Sequence, residues 1–161
     1  MEKLPEGKNM DAIKFLKKQH EEANAAFEKI EQGSEGQRGQ LWDDLSPKLK
    51  LHEQMEEKHL YGPVSKDAKQ PALASWPERH AAEVDEAEEL IAAIARSSSQ
   101  ESAWLQNVKR LHAALEEHIQ EEEDDIWPEI EKVWDRAQLE EAGKKMEGMK
   151  TEGREQKAKR Q

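Results

Sequence analysis

Apolar side chains recur at helical spacing in four stretches of the chain. Between Asp11 and Gly33, Ile13, Leu16, Ala23, Phe27 and Ile30 fall at steps of three, four and seven, so they line one side of a helix, with His20 in the middle of the stripe. From about Glu35 to Tyr61, Leu41, Leu45, Leu49 and Leu60 share a face, and His52 and Glu56 stand where further leucines would complete it. A third stripe, from about Trp76 to Arg96, runs Trp76, His80, Val84, Ala87, Ile91 and Ile94; Ser97-Ser98-Ser99 ends it and offers an N-cap to the next helix. The fourth, about Gln100 to Trp127, aligns Trp104, Val108, Leu111, Leu115, His118, Glu122 and Ile126.

The intervening residues set the expected breaks. Ser46-Pro47 predicts a kink or a split in the second helix, because proline removes a backbone donor and clashes one turn back. Gly62 to Ser75, with Pro63 and Pro71 and no sustained period, predicts a long central connection. After Pro128, a favourable first helical residue, Ile130, Val133, Trp134 and Leu139 predict a short fifth helix against one end of the others. The mixed-charge residues beyond about Gly148 predict a solvated, flexible tail. The expected organisation is an N-terminal arm over 1–10, a helical domain over 11–135, and a C-terminal helix with a charged tail over 136–161.

The two halves repeat one another. His52-Glu53-Gln54-Met55-Glu56-Glu57 followed by Leu60-Tyr61 and Pro63 parallels His118-Ile119-Gln120-Glu121-Glu122-Glu123 followed by Ile126-Trp127 and Pro128. Two similar helical hairpins predict an all-α fold, a four-helix up-down-up-down bundle with pseudo-twofold symmetry, whose polar insertions meet at the axis.

At 161 residues the chain has one domain's length. With 38% charged and only 5% aromatic residues, composition alone would allow a disordered chain, and the periodicity decides for a folded one. Twenty-five basic against 36 acidic residues give a net charge of −11, which argues against binding nucleic acid and suits cations. The absence of cysteine excludes disulfides, thiolate metal sites and a cysteine nucleophile, and points to a cytoplasmic protein. No apolar signal region opens the sequence and no run of roughly 18 apolar residues occurs, so neither a signal peptide nor a membrane span is expected.

The polar stripe residues carry the chemistry. Burying four imidazoles and several carboxylates costs several kcal/mol per ionised group unless something compensates them. His52 with Glu56, and His118 with Glu122, are spaced so that both side chains rise from one helix face and reach one ion or two adjacent ions. Imidazole and carboxylate without thiolate suit iron or manganese, and also zinc. A ferritin-like di-metal bundle needs paired Glu-x-x-His motifs, and only Glu56-Glu57-Lys58-His59 supplies one.

In this pattern residues 11–128 resemble the hemerythrin family, specifically bacterial hemerythrin-like domains with His-His-Glu cation-binding motifs: a helix-one His20, a helix-two His52-x-x-x-Glu56, a helix-three His80, and a helix-four His118-x-x-x-Glu122 before an aromatic-proline pair. The resemblance implies two non-haem irons with an oxo or hydroxo bridge. It would place His20 and His52 on one iron, His80 and His118 on the other, and Glu56 and Glu122 across both. One family ligand is absent, because the position one turn beyond His80 is Val84. Glu53 is the expected substitute, as the hemerythrin-like domain of the eukaryotic iron-sensing ubiquitin-ligase subunit also has a His-Glu-x-x-Glu second helix; Glu83 and Glu121 are the alternatives. Glu57 and Glu123 lie off the stripe, and His59 and His112 fall outside the set. Three functions compete on these residues: binding or turnover of O2, peroxide or NO, including catalase-like chemistry; an iron sensor or buffer; and a metal-free helical interaction module.

Overall fold

The computed structural model describes residues 10–67 and 70–160, with side chains up to 153 apart from that of 67. The expected N-terminal arm therefore lies outside the described residues except for Met10. Helix α1 spans Ala12–Gln32, and Asp11 caps it by accepting a hydrogen bond from the Lys14 N–H at 2.9 Å. Helix α2 spans Glu35–Glu56, passes through a π-helical turn at Glu57–Tyr61 and continues as α3, Gly62–Asp67. Helix α4 covers Pro71–Arg96 and α5 covers Ser102–Glu121; a second π-helical turn, Glu122–Ile126, leads into α6, Trp127–Val133. Helix α7, Arg136–Arg160, follows. Helix α1 packs on α2 and α5, α4 packs on α5, and the π-turn at Glu57–Tyr61 packs on α4, which closes the four-helix bundle.

The fold class is the one the stripes predict, but several boundaries differ. Helix α2 is not broken at Ser46-Pro47: Pro47 and Asp43, whose carbonyl it leaves unpaired, are both exposed, so water can satisfy the lost bond while Trp42, Leu45 and Leu49 anchor the buried face. Most of the expected central connection is helical, up to Asp67 and again from Pro71. Val64 and Leu73 are both buried, so the chain gains apolar contact by staying helical on either side, and Pro71 starts α4 because its fixed φ suits a first helical position. Pro128 does not begin a separate helix, since the fourth helix runs past it after the π-turn. The fifth helix begins at Arg136 and is 25 residues long rather than short, replacing the expected flexible tail by helix. It docks by Leu139, Ala142 and Met146. Gly143 permits this approach, since a Cβ there would come within 2.6 Å of the Met10 carbonyl oxygen.

Two apolar clusters fill the interior. One gathers Phe15, Leu16, Met55, Tyr61, Trp76 and Trp127; the other gathers Phe27, Leu49, Ala87, Ile91, Val108 and Leu111. Every bundle helix crosses from one cluster to the other, and each carries its stripe histidine at the crossing: His20 between Leu16 and Phe27, His52 between Leu49 and Met55, His80 between Trp76 and Ala87, His118 between Leu111 and Ile126. The register of the four stripes thus builds one polar layer across the bundle.

Candidate metal centre

In that layer the bundle brings together six of the seven expected site residues. His20, His52, Glu56 and Glu122 form one group, and Glu56, His80, His118 and Glu122 form the other; in each, one donor atom per residue lies within 4.8 Å of all the rest. Both carboxylates are shared and both are fully buried, with 0% exposure. Helical geometry produces the sharing, because Glu56 and Glu122 each stand one turn beyond a histidine and point to the axis between the two hairpins.

The histidines converge through Nε2. His52 Nε2 lies 3.2 Å from Glu56 Oε2, His80 Nε2 3.3 Å from Glu56 Oε1, His20 Nε2 3.4 Å and His118 Nε2 3.3 Å from Glu122 Oε1. His20 Nε2 and His52 Nε2 face each other at 3.2 Å. Outer partners fix the rings. His20 Nδ1 donates to Glu123 at 2.9 Å, His52 Nδ1 to the Gln19 Oε1 at 2.7 Å, and His118 Nδ1 to Glu83. Carboxylate and amide oxygens accept, so these Nδ1 atoms carry protons, and each ring in its neutral form turns an Nε2 lone pair inward. Trp127 stacks on His20 with ring centroids 5.1 Å apart, and Trp76 stacks on His118 at 5.9 Å.

This arrangement fits a divalent cation. Lone pairs facing lone pairs and carboxylate oxygens are repulsive unless a positive charge lies between them. Glu56 Oε2 and Glu122 Oε1 are buried without a hydrogen-bond partner among the described residues, although imidazoles stand close by. Two donors each about 2.1 Å from one ion lie roughly 3.0–3.4 Å apart for angles between square and tetrahedral, which is the spacing observed here.

Without a cation, protons must serve. Burial and the neighbouring Glu56 push the Glu122 carboxyl up to about 7. Burial acts on Glu56 in the same direction, but the His52 charge and hydrogen bonds from Glu122 and the histidines hold it well below the usual carboxylate range. Burial alone would lower His20, yet Glu122, Glu56 and Glu123 together lift it to about 9.

Glu53 stands outside both groups. It is half-buried, and burial together with repulsion from Glu56 raises it to about 8. Of the alternatives for its role, Glu83 holds His118 from outside and Glu121 is ion-paired to Arg79. Glu57 is exposed, and His59 is half-buried away from both groups. His112 stacks on Phe27 at 4.6 Å and bonds Glu31 at 2.6 Å, in a separate place.

Sequence reasoning did not assign roles to Gln19, Tyr61 or Trp127. The Tyr61 hydroxyl donates to Glu122 Oε2 and accepts from Trp127 Nε1 at 2.9 Å, so one bond joins the aromatic residues that hold equivalent places in the two repeats. That equivalence was the available signal. Burial and the nearby carboxylates raise the Tyr61 phenol, which therefore stays a donor.

Comparison with known proteins agrees with the geometry. A family model described as "Hemerythrin HHE cation binding domain" matches residues 11–130. The fold is similar to that of a hemerythrin HHE cation binding domain-containing protein from Mycobacterium kansasii, with a TM-score of 0.73 and 27% identity over 88% of this chain and 86% of that one. None of the curated proteins matches significantly.

Proposed function

The chain belongs to the hemerythrin HHE cation-binding family, and on that premise we propose that its polar layer holds two non-haem iron ions and that the protein binds or reacts with O2, peroxide or NO. His20 and His52 hold one ion, His80 and His118 hold the other, and Glu56 and Glu122 span both. The observation that carries this reading is the pair of fully buried carboxylates, each with one oxygen lacking a hydrogen bond and each faced by histidine Nε2 atoms of two helices. Manganese and zinc suit the same donors, but only a redox-active ion gives this site chemistry with O2 or peroxide.

When bound, the metal pair supplies electrons and coordination positions for a small ligand. The protein's own residues supply the rest. Glu123, Gln19 and Glu83 keep three imidazoles oriented with Nε2 inward, which preserves their basicity towards a cation. Trp127 and Trp76 stack on His20 and His118 and cover one face of each of these two rings. Tyr61 keeps a proton on its hydroxyl and points it at Glu122 Oε2, leaving Oε1 for the histidine side. A chain without cysteine suits the reducing cytoplasm as the place where it works.

The test is the visible and near-ultraviolet spectrum of iron-loaded protein, recorded anaerobically and then with O2, peroxide and NO in turn. We expect a change with at least one of them that is lost in Glu122→Ala. Iron-loaded protein inert to all three would shift the reading to an iron sensor or buffer.

A further inference from the structure

A cleft of about 850 Å3 runs between α2, α4 and α7, with Met149 of α7 on one wall, and its lining includes one candidate ligand of the polar layer, His80. His80 is only 2% exposed, so it forms the floor, and half-buried Val84 and Glu53 stand beside it. The other three histidines turn Nδ1 to Glu123, Gln19 or Glu83; His80 Nδ1 has no hydrogen-bond partner among the described residues. A donor four residues after His80 would lie on the same helix face and reach the same ion. Val84 occupies that place and offers none, so the His80 half of the centre is short of a donor on the side where the cleft ends.

We propose that this cleft is the entry by which a small uncharged molecule reaches the His80 half of the centre, and that Val84 is the residue that keeps it open. The inference rests on the metal-binding reading above. The rim selects against anions: exposed Glu57, Asp85 and Glu88 outnumber Lys50 and Lys58, on a chain of net charge −11. Neutral NO, O2 or hydrogen peroxide meets no such barrier.

Stopped-flow binding of NO to iron(II)-loaded protein and of azide to the iron(III) form tests both parts, with metal content measured on every sample. Val84→Trp, and less strongly Val84→Leu, slows NO binding severalfold at unchanged metal content. Ala93→Trp, in a different groove between α4 and α5, does not. Glu57→Gln with Asp85→Asn speeds azide binding by about tenfold at low salt and leaves NO unaffected. Two irons per chain with wild-type NO rates in both Val84 variants would overturn the entry. Equal azide rates with and without the rim carboxylates would overturn the charge selection, and wild-type chains that take up no metal would overturn the proposal together with the reading beneath it.

Discussion

Tyr61 shows how much of the centre depends on residues that are not themselves candidate ligands. Its hydroxyl is at once the donor to Glu122 Oε2 and the acceptor for Trp127 Nε1, all three groups being buried. Tyr61→Phe fills the same space but strands both partners, so we expect a loss of about 1–3 kcal/mol in stability, read by chemical denaturation. Glu123→Ala acts differently, because it frees the His20 ring while leaving the core intact. Removing such an outer partner weakens metal affinity by about 10–100-fold; competition with a chromogenic chelator would show it, and unchanged affinity would mean that Glu123 does not orient the ring. His20 also sets a pH signature for the metal-free protein. Its folded value, about 9, lies above the ordinary 6.5, so its stabilisation is complete below 6.5 and disappears as pH rises through 9. Denaturation midpoints of chelated protein should fall across that window, and metal-loaded protein, in which the cation rather than a proton would occupy His20 Nε2, should not follow.

At the scale of elements, Pro47 gives the sharpest test. It sits inside α2 on the exposed side, where it costs a backbone bond. Since proline in a helix interior is about 3 kcal/mol worse than alanine, Pro47→Ala should raise the melting temperature. Gly143→Ala should lower stability by about 1–3 kcal/mol through overpacking, because its Cβ would press on the backbone of Met10 and Asp11. The same two residues explain what could be read from the sequence. Apolar periodicity located the four bundle helices and placed a histidine in each, since burial of a stripe is a local property of helix register. Whether Pro47 breaks its helix depends on whether water reaches the Asp43 carbonyl, and the length of α7 depends on a docking surface made by α1; both are tertiary facts. The π-turns at Glu57–Tyr61 and Glu122–Ile126 were equally hidden, as no residue type specifies them, and they carry Leu60 and Tyr61 on one side and Ile126 on the other into the core.

For the whole molecule, the polar layer between two apolar clusters is a design that a cation completes. A bundle of this size could close the gap with leucines at lower electrostatic cost, so the six polar groups weaken the metal-free state and give the metal-bound state its advantage. Chelation should therefore lower the melting temperature, and His52→Leu with His118→Leu should abolish that response while leaving a folded helical protein. The stripe pattern already turned Glu56 and Glu122 inward and left Glu57 and Glu123 off it. That Glu53 stands outside both groups, and that Glu123 and Glu83 hold the His20 and His118 rings from outside, are results of tertiary packing. The measurement that bears most directly on the central claim is metal content per chain of protein purified without chelator. The account predicts about two irons per chain, falling sharply in Glu56→Ala and Glu122→Ala; a folded wild-type protein that carries no metal and refuses added iron(II) would contradict it.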